Sequence, residues 1–179
     1  MIIVDGPDGS GKDTLIANLG FHAYKLKALR GGVGGVKMMA AEGGVDDGVA
    51  GWGGDDPALL CYVNQVMKRR GDHMLAFNRF HLSEVVYGPI LRGTDELSTR
   101  DLDALDSLLR AMDVHVILCL PPFDVTLEQV KRPGRERPAY QTEEFLLHAY
   151  NGFHSVQRYA TVVYNFTEDP TAASVKRLL

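Results

Sequence analysis

Short apolar runs alternate along this chain with segments in which apolar residues recur every three or four positions. The longest mainly apolar run covers residues 114–120 and predicts a strand buried on both faces, as in a parallel sheet. The segment before it carries an apolar stripe at helical spacing, formed by Leu102, Leu105, Leu108, Leu109 and Met112. Ser98 and Asp101 have the spacing of a capping box at the start of that helix. This alternation of strand and helix predicts an α/β fold in which helices cover both faces of a parallel sheet.

The same patterns define the remaining elements. Further strands are predicted at residues 2–4, 21–29, 74–77 and 161–166, so that the central parallel sheet has five strands. Further helices are predicted at residues 12–19, 57–70, 126–131, 142–159 and 171–179. Residues 31–54 fit neither pattern and contain ten of the nineteen glycines. Because glycine loses much backbone entropy on ordering, this segment is predicted to be a mobile loop unless a ligand closes it.

The composition is ordinary for a globular protein and excludes several functional classes. The 179 residues are 45% hydrophobic and 23% charged, which suits a single domain spanning residues 1–179. The net charge of −4 argues against attachment to duplex DNA through bulk electrostatics. The longest apolar run is too short to span a bilayer, and the N-terminus lacks a signal-peptide pattern, so we expect a cytoplasmic protein with no membrane contact. Cys61 and Cys119 are then expected to be buried, reduced thiols.

One motif carries recognisable chemistry. Residues 6–12 lie between a predicted strand and a predicted helix and fit the phosphate-loop pattern G-x-x-x-x-G-K, with the sequence Gly6-Pro7-Asp8-Gly9-Ser10-Gly11-Lys12. In such a loop the glycines let backbone N–H groups surround phosphate oxygens, and the helix N-terminus adds partial positive charge. Lys12 is placed to reach the β- and γ-phosphates. The motif predicts binding of ATP, together with Mg²⁺, by Gly6, Gly9, Ser10, Gly11, Lys12, Asp13 and Thr14.

Asp13 departs from that pattern, in which a Ser or Thr hydroxyl normally follows the lysine and binds Mg²⁺. A carboxylate next to bound phosphates is repulsive unless a cation lies between them or the side chain points away. Because Mg²⁺ accepts carboxylate ligands readily, Asp13 is the candidate metal ligand. The alternative is that Asp13 only caps the start of the helix.

Three stretches resemble a family of P-loop kinases, and they are spread over nearly the whole chain. Residues 10–14 resemble the loop of phage-type deoxynucleoside monophosphate kinases, in which Asp also follows the lysine. Residues 78–87 resemble the acceptor segment of thymidylate kinases, with Arg79, Ser83 and Tyr87 in register. Residues 132–137 are similar in position to the Arg-rich lid of those enzymes. The resemblance implies a three-layer P-loop NTPase fold with a short lid at residues 131–140, and a host-cytoplasmic location if the source is viral.

The resemblance also implies roles for residues of the acceptor site. Asp8 matches a loop carboxylate that holds the 3′-hydroxyl of the acceptor sugar, and Arg79 matches an arginine that orients the acceptor phosphate. The planar guanidinium suits that task because it binds phosphate through two parallel hydrogen bonds. Tyr87 matches an aromatic residue that crowds the 2′ carbon and disfavours ribose. Ser83 belongs to the same acceptor segment.

Gly9 stands where one subgroup of thymidylate kinases places a catalytic arginine. The resemblance therefore implies that the lid supplies the missing charge, and the candidates are Arg132, Arg135 and Arg137. The alternative for these three arginines is a solvated basic loop.

Two further positions differ from the thymidylate kinase pattern. Asn78 replaces an aspartate beside the metal site, and Asp13 adds a carboxylate nearby, so that the two changes form a related pair in our hypothesis. At the acceptor base, Tyr62 is placed to stack and Gln65 to hydrogen-bond, but no arginine follows one turn later. The resemblance therefore does not extend to selectivity for thymine.

The expected reaction is transfer of the γ-phosphoryl group of ATP to the 5′-phosphate of a deoxynucleoside monophosphate, with Lys12, Arg79 and the lid arginines as catalytic residues. One alternative is a kinase acting on the hydroxymethyl group of a modified pyrimidine, with DNA as a further substrate; its cleft would use the basic residues Arg30, Lys37, Lys68, Arg69 and Arg70. A second alternative is a non-catalytic nucleotide-binding module. The sequence leaves open whether the protein forms a homodimer. Among the histidines, His81 falls inside the acceptor segment.

Overall fold

The structure is a computed structural model that describes residues 1–29, 37–41, 63, 65–69, 71–93, 97–133 and 142–179. Side chains at 26–29, 37–41 and 92 are outside this description. Most of the predicted loop at 31–54 and of the predicted lid at 131–140 therefore lies outside the described residues. Among the helices that are described, none combines the length and apolar character that a membrane span requires.

A six-stranded sheet forms the middle layer. Its strands are β1 (Ile2–Asp5), β2 (His22–Leu29), β3 (Lys37–Ala41), β4 (Leu75–Asn78), β5 (His115–Cys119) and β6 (Val162–Tyr164). They lie in the order β3-β2-β4-β1-β5-β6. The five predicted strands are parallel to one another, as expected, and Val4 is paired with Asn78 on one side and Ile117 on the other.

Six α-helices with fully described bounds and one short 3₁₀ turn accompany the sheet. The helices are α1 (Lys12–Leu19), α2 (His81–Arg92), α3 (Thr99–Ala111), α4 (Phe123–Lys131), α5 (Glu143–Ser155) and α6 (Ala173–Lys176), with the 3₁₀ turn at Gln157–Tyr159. The capping box at Ser98 and Asp101 is present at the start of α3. Helical residues at 63 and 65–69 agree with the predicted helix at 57–70, the rest of which is not described.

The alternation of side chains along each strand divides the core between the two faces of the sheet. Ile3 points to one face, where it joins a cluster that includes apolar residues of α2, α3 and α5. Ile2 and Val4 point to the other face, where Leu15 and Ile16 of α1 cover them. Because every residue of β1 is fully buried, helices are required on both faces, and the three-layer α/β fold follows.

Several predicted elements need correction. Strand β3 lies inside the segment predicted to be a loop, and it pairs antiparallel with β2 at the sheet edge. It is only five residues long and lies within a glycine-rich segment, so the sequence alone gives no clear alternation of apolar and polar residues there. Helix α2 was not predicted, because Pro89 lies inside it and obscures its periodicity. The helix predicted at 142–159 ends at Ser155, and the last helix is only four residues long.

The sheet order brings two functional segments to one edge. The phosphate loop, residues 6–12, follows β1, and Arg79 follows β4, which is paired with β1. Parallel neighbours end at the same edge of a sheet, and ligands of open α/β sheets bind there. The fold therefore places the nucleotide motif beside the predicted acceptor segment.

Candidate active site

The phosphate loop depends on three glycines that no other residue could replace without strain. Gly6, Gly9 and Gly11 have φ of 142°, 83° and 84°, which L side chains rarely adopt. A Cβ at Gly6 would lie 2.3 Å from the carbonyl oxygen of Cys119, and one at Gly9 would lie 2.5 Å from that of Thr126. The loop is thus packed closely between β5 and α4. An arginine at position 9 is sterically excluded from this arrangement.

Lys12 lies buried inside the curve of the loop. Its Nζ donates to the carbonyl oxygens of Gly6 at 2.8 Å and Pro7 at 2.6 Å, and to Ser10 Oγ at 3.3 Å. These three bonds use all the protons of the ammonium group. Burial lowers the pKa of Lys12 to about 8. The ammonium is therefore held where phosphate oxygens would offer better partners than neutral carbonyls.

Asp5 joins the end of β1 to the start of α2. Its fully buried carboxylate accepts hydrogen bonds from the backbone N–H of Phe80 at 3.0 Å and from Ser83 Oγ at 2.5 Å. The hydroxyl of Ser83, predicted to belong to the acceptor site, is therefore engaged with Asp5, and Ser83 does not line the described cleft. This contact fixes α2, and with it Tyr87, relative to the phosphate loop.

Arg79 has a strained backbone and several partners. Its φ of 69° is in the left-handed region, and its N–H donates to Val4 O at 3.0 Å. Its guanidinium pairs with the Asp8 carboxylate and lies 5.2 Å from the centroid of the Tyr87 ring. Burial disfavours the charged form, but the Asp8 carboxylate, together with Tyr87 and Asp5, outweighs it and raises the pKa of Arg79. The arginine is thus fixed and fully charged beside the loop.

Tyr87 packs under this ion pair. Its hydroxyl accepts from the backbone N–H of Asp8 at 3.2 Å. Its ring stacks on Phe145 and meets Phe153 edge to face. Burial raises the pKa of Tyr87 to about 12, so the phenol stays neutral. Asp8, Arg79 and Tyr87, three residues predicted for the acceptor site, are therefore in mutual contact.

Asp13 and Asn78 contact one another directly. Asn78 Nδ2 donates to Asp13 Oδ1 at 2.7 Å, and Lys25 Nζ on β2 is 3.3 Å from the same oxygen. Partial burial opposes ionisation, but the hydrogen bond from Asn78 and the charge of Lys25 hold the pKa of Asp13 below its usual range. Helix α1 is capped by the backbone of Gly11 with no side-chain bond, so the interpretation of Asp13 as a helix cap is wrong.

A cleft of about 560 Å³ lies beside the phosphate loop. Its walls include residues 8–14 of the loop region together with Asn78, Arg79 and Arg132. Sequence reasoning missed the remaining lining residues, which are Leu15, Asn18, Lys25, Gln129, Tyr164, Phe166 and Pro170. Phe166 lies so close to Gly11 that a Cβ there would be 3.1 Å from the ring. Its position just beyond β6, at the same sheet edge as the loop, is the signal that could have found it.

The other predicted site residues are distributed as follows. Gln65 is buried, and its Oε1 has no hydrogen-bond partner among the described residues. Arg69 contacts Tyr24, donating to its hydroxyl at 3.0 Å. Tyr62, Arg135 and Arg137 lie outside the described residues.

The residues beside the loop fit a divalent cation that arrives with a nucleotide. The Asp13 side chain is 69% exposed, and both of its contacts use Oδ1, which leaves the second carboxylate oxygen available. In the described parts of the chain, no three His, Cys, Asp or Glu side chains are grouped to hold a metal by themselves. Mg²⁺ often combines one carboxylate with substrate phosphates, and this donor set suits that arrangement.

Comparison with known proteins identifies similar structures rather than similar sequences. No family model matches the chain, and no curated protein matches it. The YorR protein from Bacillus subtilis, solved in complex with phosphorylated GDP, is 16% identical, with a TM-score of 0.64 over 99% of this chain and 92% of that one. Deoxyadenosine kinase from M. mycoides with bound dATP is 12% identical, with a TM-score of 0.55 over 98% and 97% of the two chains. These similarities show that the chain shares the three-layer α/β fold of these proteins, with its phosphate loop following β1.

Proposed function

We propose that this protein transfers the γ-phosphoryl group of ATP to the 5′-phosphate of a deoxynucleoside monophosphate, as thymidylate kinase-like enzymes do. The observation that carries the proposal is the contact of Arg79 with Asp8 and Tyr87 at the rim of the phosphate loop. A fixed guanidinium beside a donor-phosphate site is suited to hold an acceptor phosphate. The similar structures, one a deoxyadenosine kinase, support a nucleotide as substrate.

In this mechanism the protein contributes position and charge. Lys12 binds the donor phosphates after giving up its carbonyl partners, and Phe166 offers a ring against which the donor base can rest. Arg79 orients the acceptor phosphate. Arg132 lines the cleft and, with Arg135 and Arg137, is the source of positive charge that Gly9 cannot provide. Asp13 would hold Mg²⁺, which supplies further neutralisation of the donor phosphates.

The test is ADP release from ATP with a panel of deoxynucleoside monophosphates, run beside hydroxymethyluracil-containing DNA. We expect turnover with at least one monophosphate and none with the DNA. Turnover only with DNA would favour the hydroxymethyl kinase instead, and ATP binding without any turnover would favour a non-catalytic module.

The variant to compare with the wild type in this assay is Lys12→Ala, which removes the positive charge held inside the loop. Because such a contact strengthens in the transition state, turnover should fall at least about a hundredfold. A loss smaller than about tenfold would contradict the role of Lys12. Thermal denaturation of both proteins controls for folding, and size-exclusion chromatography of the wild type determines whether it is a homodimer.

A further inference from the structure

Lys25 has no assigned role in the proposed function, yet it lies in the cleft. It belongs to β2, the parallel neighbour of β4, and it reaches across to the first turn of α1. Its Nζ lies 3.3 Å from Asp13 Oδ1, the oxygen that also accepts the hydrogen bond of Asn78. Three elements, the consecutive α1 and β2 and the distant β4, therefore supply one anionic, one cationic and one amide group to a single point beside the phosphate loop.

The other cations of the cleft have different surroundings. The ammonium of Lys12 is fully engaged with the loop, and Arg79 is paired with Asp8 and packed on Tyr87. Lys25 is 45% exposed, and within the described part of the chain its one ion pair is with the exposed carboxylate of Asp13. It is thus a cation that can exchange partners without leaving an unpaired charge in the interior.

The described lining of the cleft contains four cationic side chains and two carboxylates, Asp8 and Asp13. Asp8 is neutralised by Arg79. Asp13 is the carboxylate that would repel the phosphates of a nucleotide, and it is also the residue that fits a divalent cation. The ammonium of Lys25 and that cation would therefore neutralise the same charge.

We infer that the ammonium of Lys25 takes the place of the divalent ion at the metal site. It neutralises Asp13 when no divalent ion is bound and competes with that ion for the carboxylate. This inference rests on one part of the proposed function, which is that a nucleotide and its metal bind in the cleft; it does not depend on phosphoryl transfer. Without Lys25, the Asp13 carboxylate would repel the phosphates of a metal-free nucleotide. With Lys25 in place, the protein should bind the metal-free nucleotide more tightly. Lys25 acts here through Asp13, as a positioning residue.

The experiment measures the dissociation constant of ADP by titration calorimetry, once with excess Mg²⁺ and once with EDTA. The quantity of interest is the ratio of the two constants, metal-free over metal-bound. Lys25→Met should weaken metal-free binding without weakening metal-bound binding, so the ratio should rise about fivefold, as expected for a half-exposed ion pair. Lys25→Arg keeps the charge and should keep the ratio near that of the wild type.

Asp13→Asn removes the charge for which the two cations compete, and the ratio should fall. Lys176→Met, an exposed lysine of α6 that does not line the cleft, should leave both constants unchanged. An unchanged ratio in Lys25→Met, or an equal loss with and without metal, would overturn the inference and identify Lys25 as a surface residue or a plain phosphate contact. If the wild type binds no ADP under either condition, the proposed function fails instead.

Discussion

Arg79 illustrates how a single residue can be held in an unfavourable conformation by its neighbours. A left-handed backbone costs a non-glycine residue about 1–2 kcal/mol. Here the N–H bond to Val4, the Asp8 carboxylate and the Tyr87 ring oppose that cost. Strain that persists in this way is concentrated at functional sites, and at Arg79 it turns the guanidinium toward the phosphate loop.

Replacing Arg79 by lysine tests whether the guanidinium serves the acceptor. The backbone and charge are retained, but the planar pair of donors is lost. We expect KM for the monophosphate acceptor to rise about tenfold, while the dissociation constant of ATP changes by less than about twofold. Steady-state kinetics and calorimetry separate the two effects. Equal losses for donor and acceptor would contradict the assignment.

Tyr87 permits a test of sugar selectivity in which the ring and the hydroxyl are removed separately. Tyr87→Phe loses only the hydroxyl, which accepts from the Asp8 N–H and hydrogen-bonds with Arg79, and should cost about 1–2 kcal/mol of folding stability. Tyr87→Ala also removes a buried ring and should cost about 3–5 kcal/mol. The deoxy/ribo ratio of kcat/KM should fall in Tyr87→Ala and persist in Tyr87→Phe. An unchanged ratio in both variants would reject Tyr87 as the wall against ribose.

At the scale of elements, the phosphate loop is held in place by α4. Gly9 lies against the backbone of Thr126 and the side chain of Val130, so the loop and the helix have no room to approach further. Helix α4 also leads directly into Arg132, which lines the cleft. The packing at Gly9 therefore couples the shape of the loop to the start of the predicted lid.

Gly9 and Gly20 form a matched pair for measuring this packing. Both have left-handed backbones, with φ of 83° and 75°, but a Cβ at Gly20 meets nothing within 4 Å. Gly20→Ala should cost about 1 kcal/mol from backbone strain alone. Gly9→Ala should cost a further 1–3 kcal/mol, roughly the range for overpacking, and should also weaken ATP binding. Chemical denaturation and calorimetry check both expectations, and equal costs would show that α4 yields to the added methyl group.

At the scale of the whole molecule, His81 links stability to pH. It lies fully buried at the start of α2, and burial lowers its pKa to about 4 although the carboxylates of Asp5 and Asp106 oppose the shift. The unfolded chain binds the proton near the ordinary value of 6.5. The stability due to neutral His81 is therefore complete above pH 6.5 and is lost as pH falls toward 4.

The free energy of unfolding should fall by about 3 kcal/mol between pH 6.5 and 4 because of this group. Urea denaturation of His81→Gln across that range should show a correspondingly smaller pH dependence than the wild type. His154→Gln, at an exposed position of α5, is the control and should follow the wild-type curve. If the His81 variant loses stability on acidification as steeply as the wild type, the buried histidine is not the cause.

Much of the architecture was determined by the sequence itself. The phosphate loop between β1 and α1, the capping box of α3 and the five parallel strands were predicted because their signals are local: a glycine spacing, a polar pair three residues apart, a run of apolar side chains. Local signals also misled where the context is not local. Strand β3 needs β2 as a partner, and α2 contains a proline that its packing tolerates.

Tertiary structure decided which residues of the candidate site meet wherever the contact joins different strands or helices. The bond between Asp5 and Ser83 joins residues 78 positions apart, and that between Asn78 and Asp13 joins residues 65 apart. Whether such groups meet depends on strand order, since only parallel neighbours end side by side at one edge. The motif therefore predicted Lys12, and the resemblance predicted Arg79. Lys25 and Phe166 enter the cleft because β2 lies beside β4 and β6 lies beside β5, in the same sheet as β1.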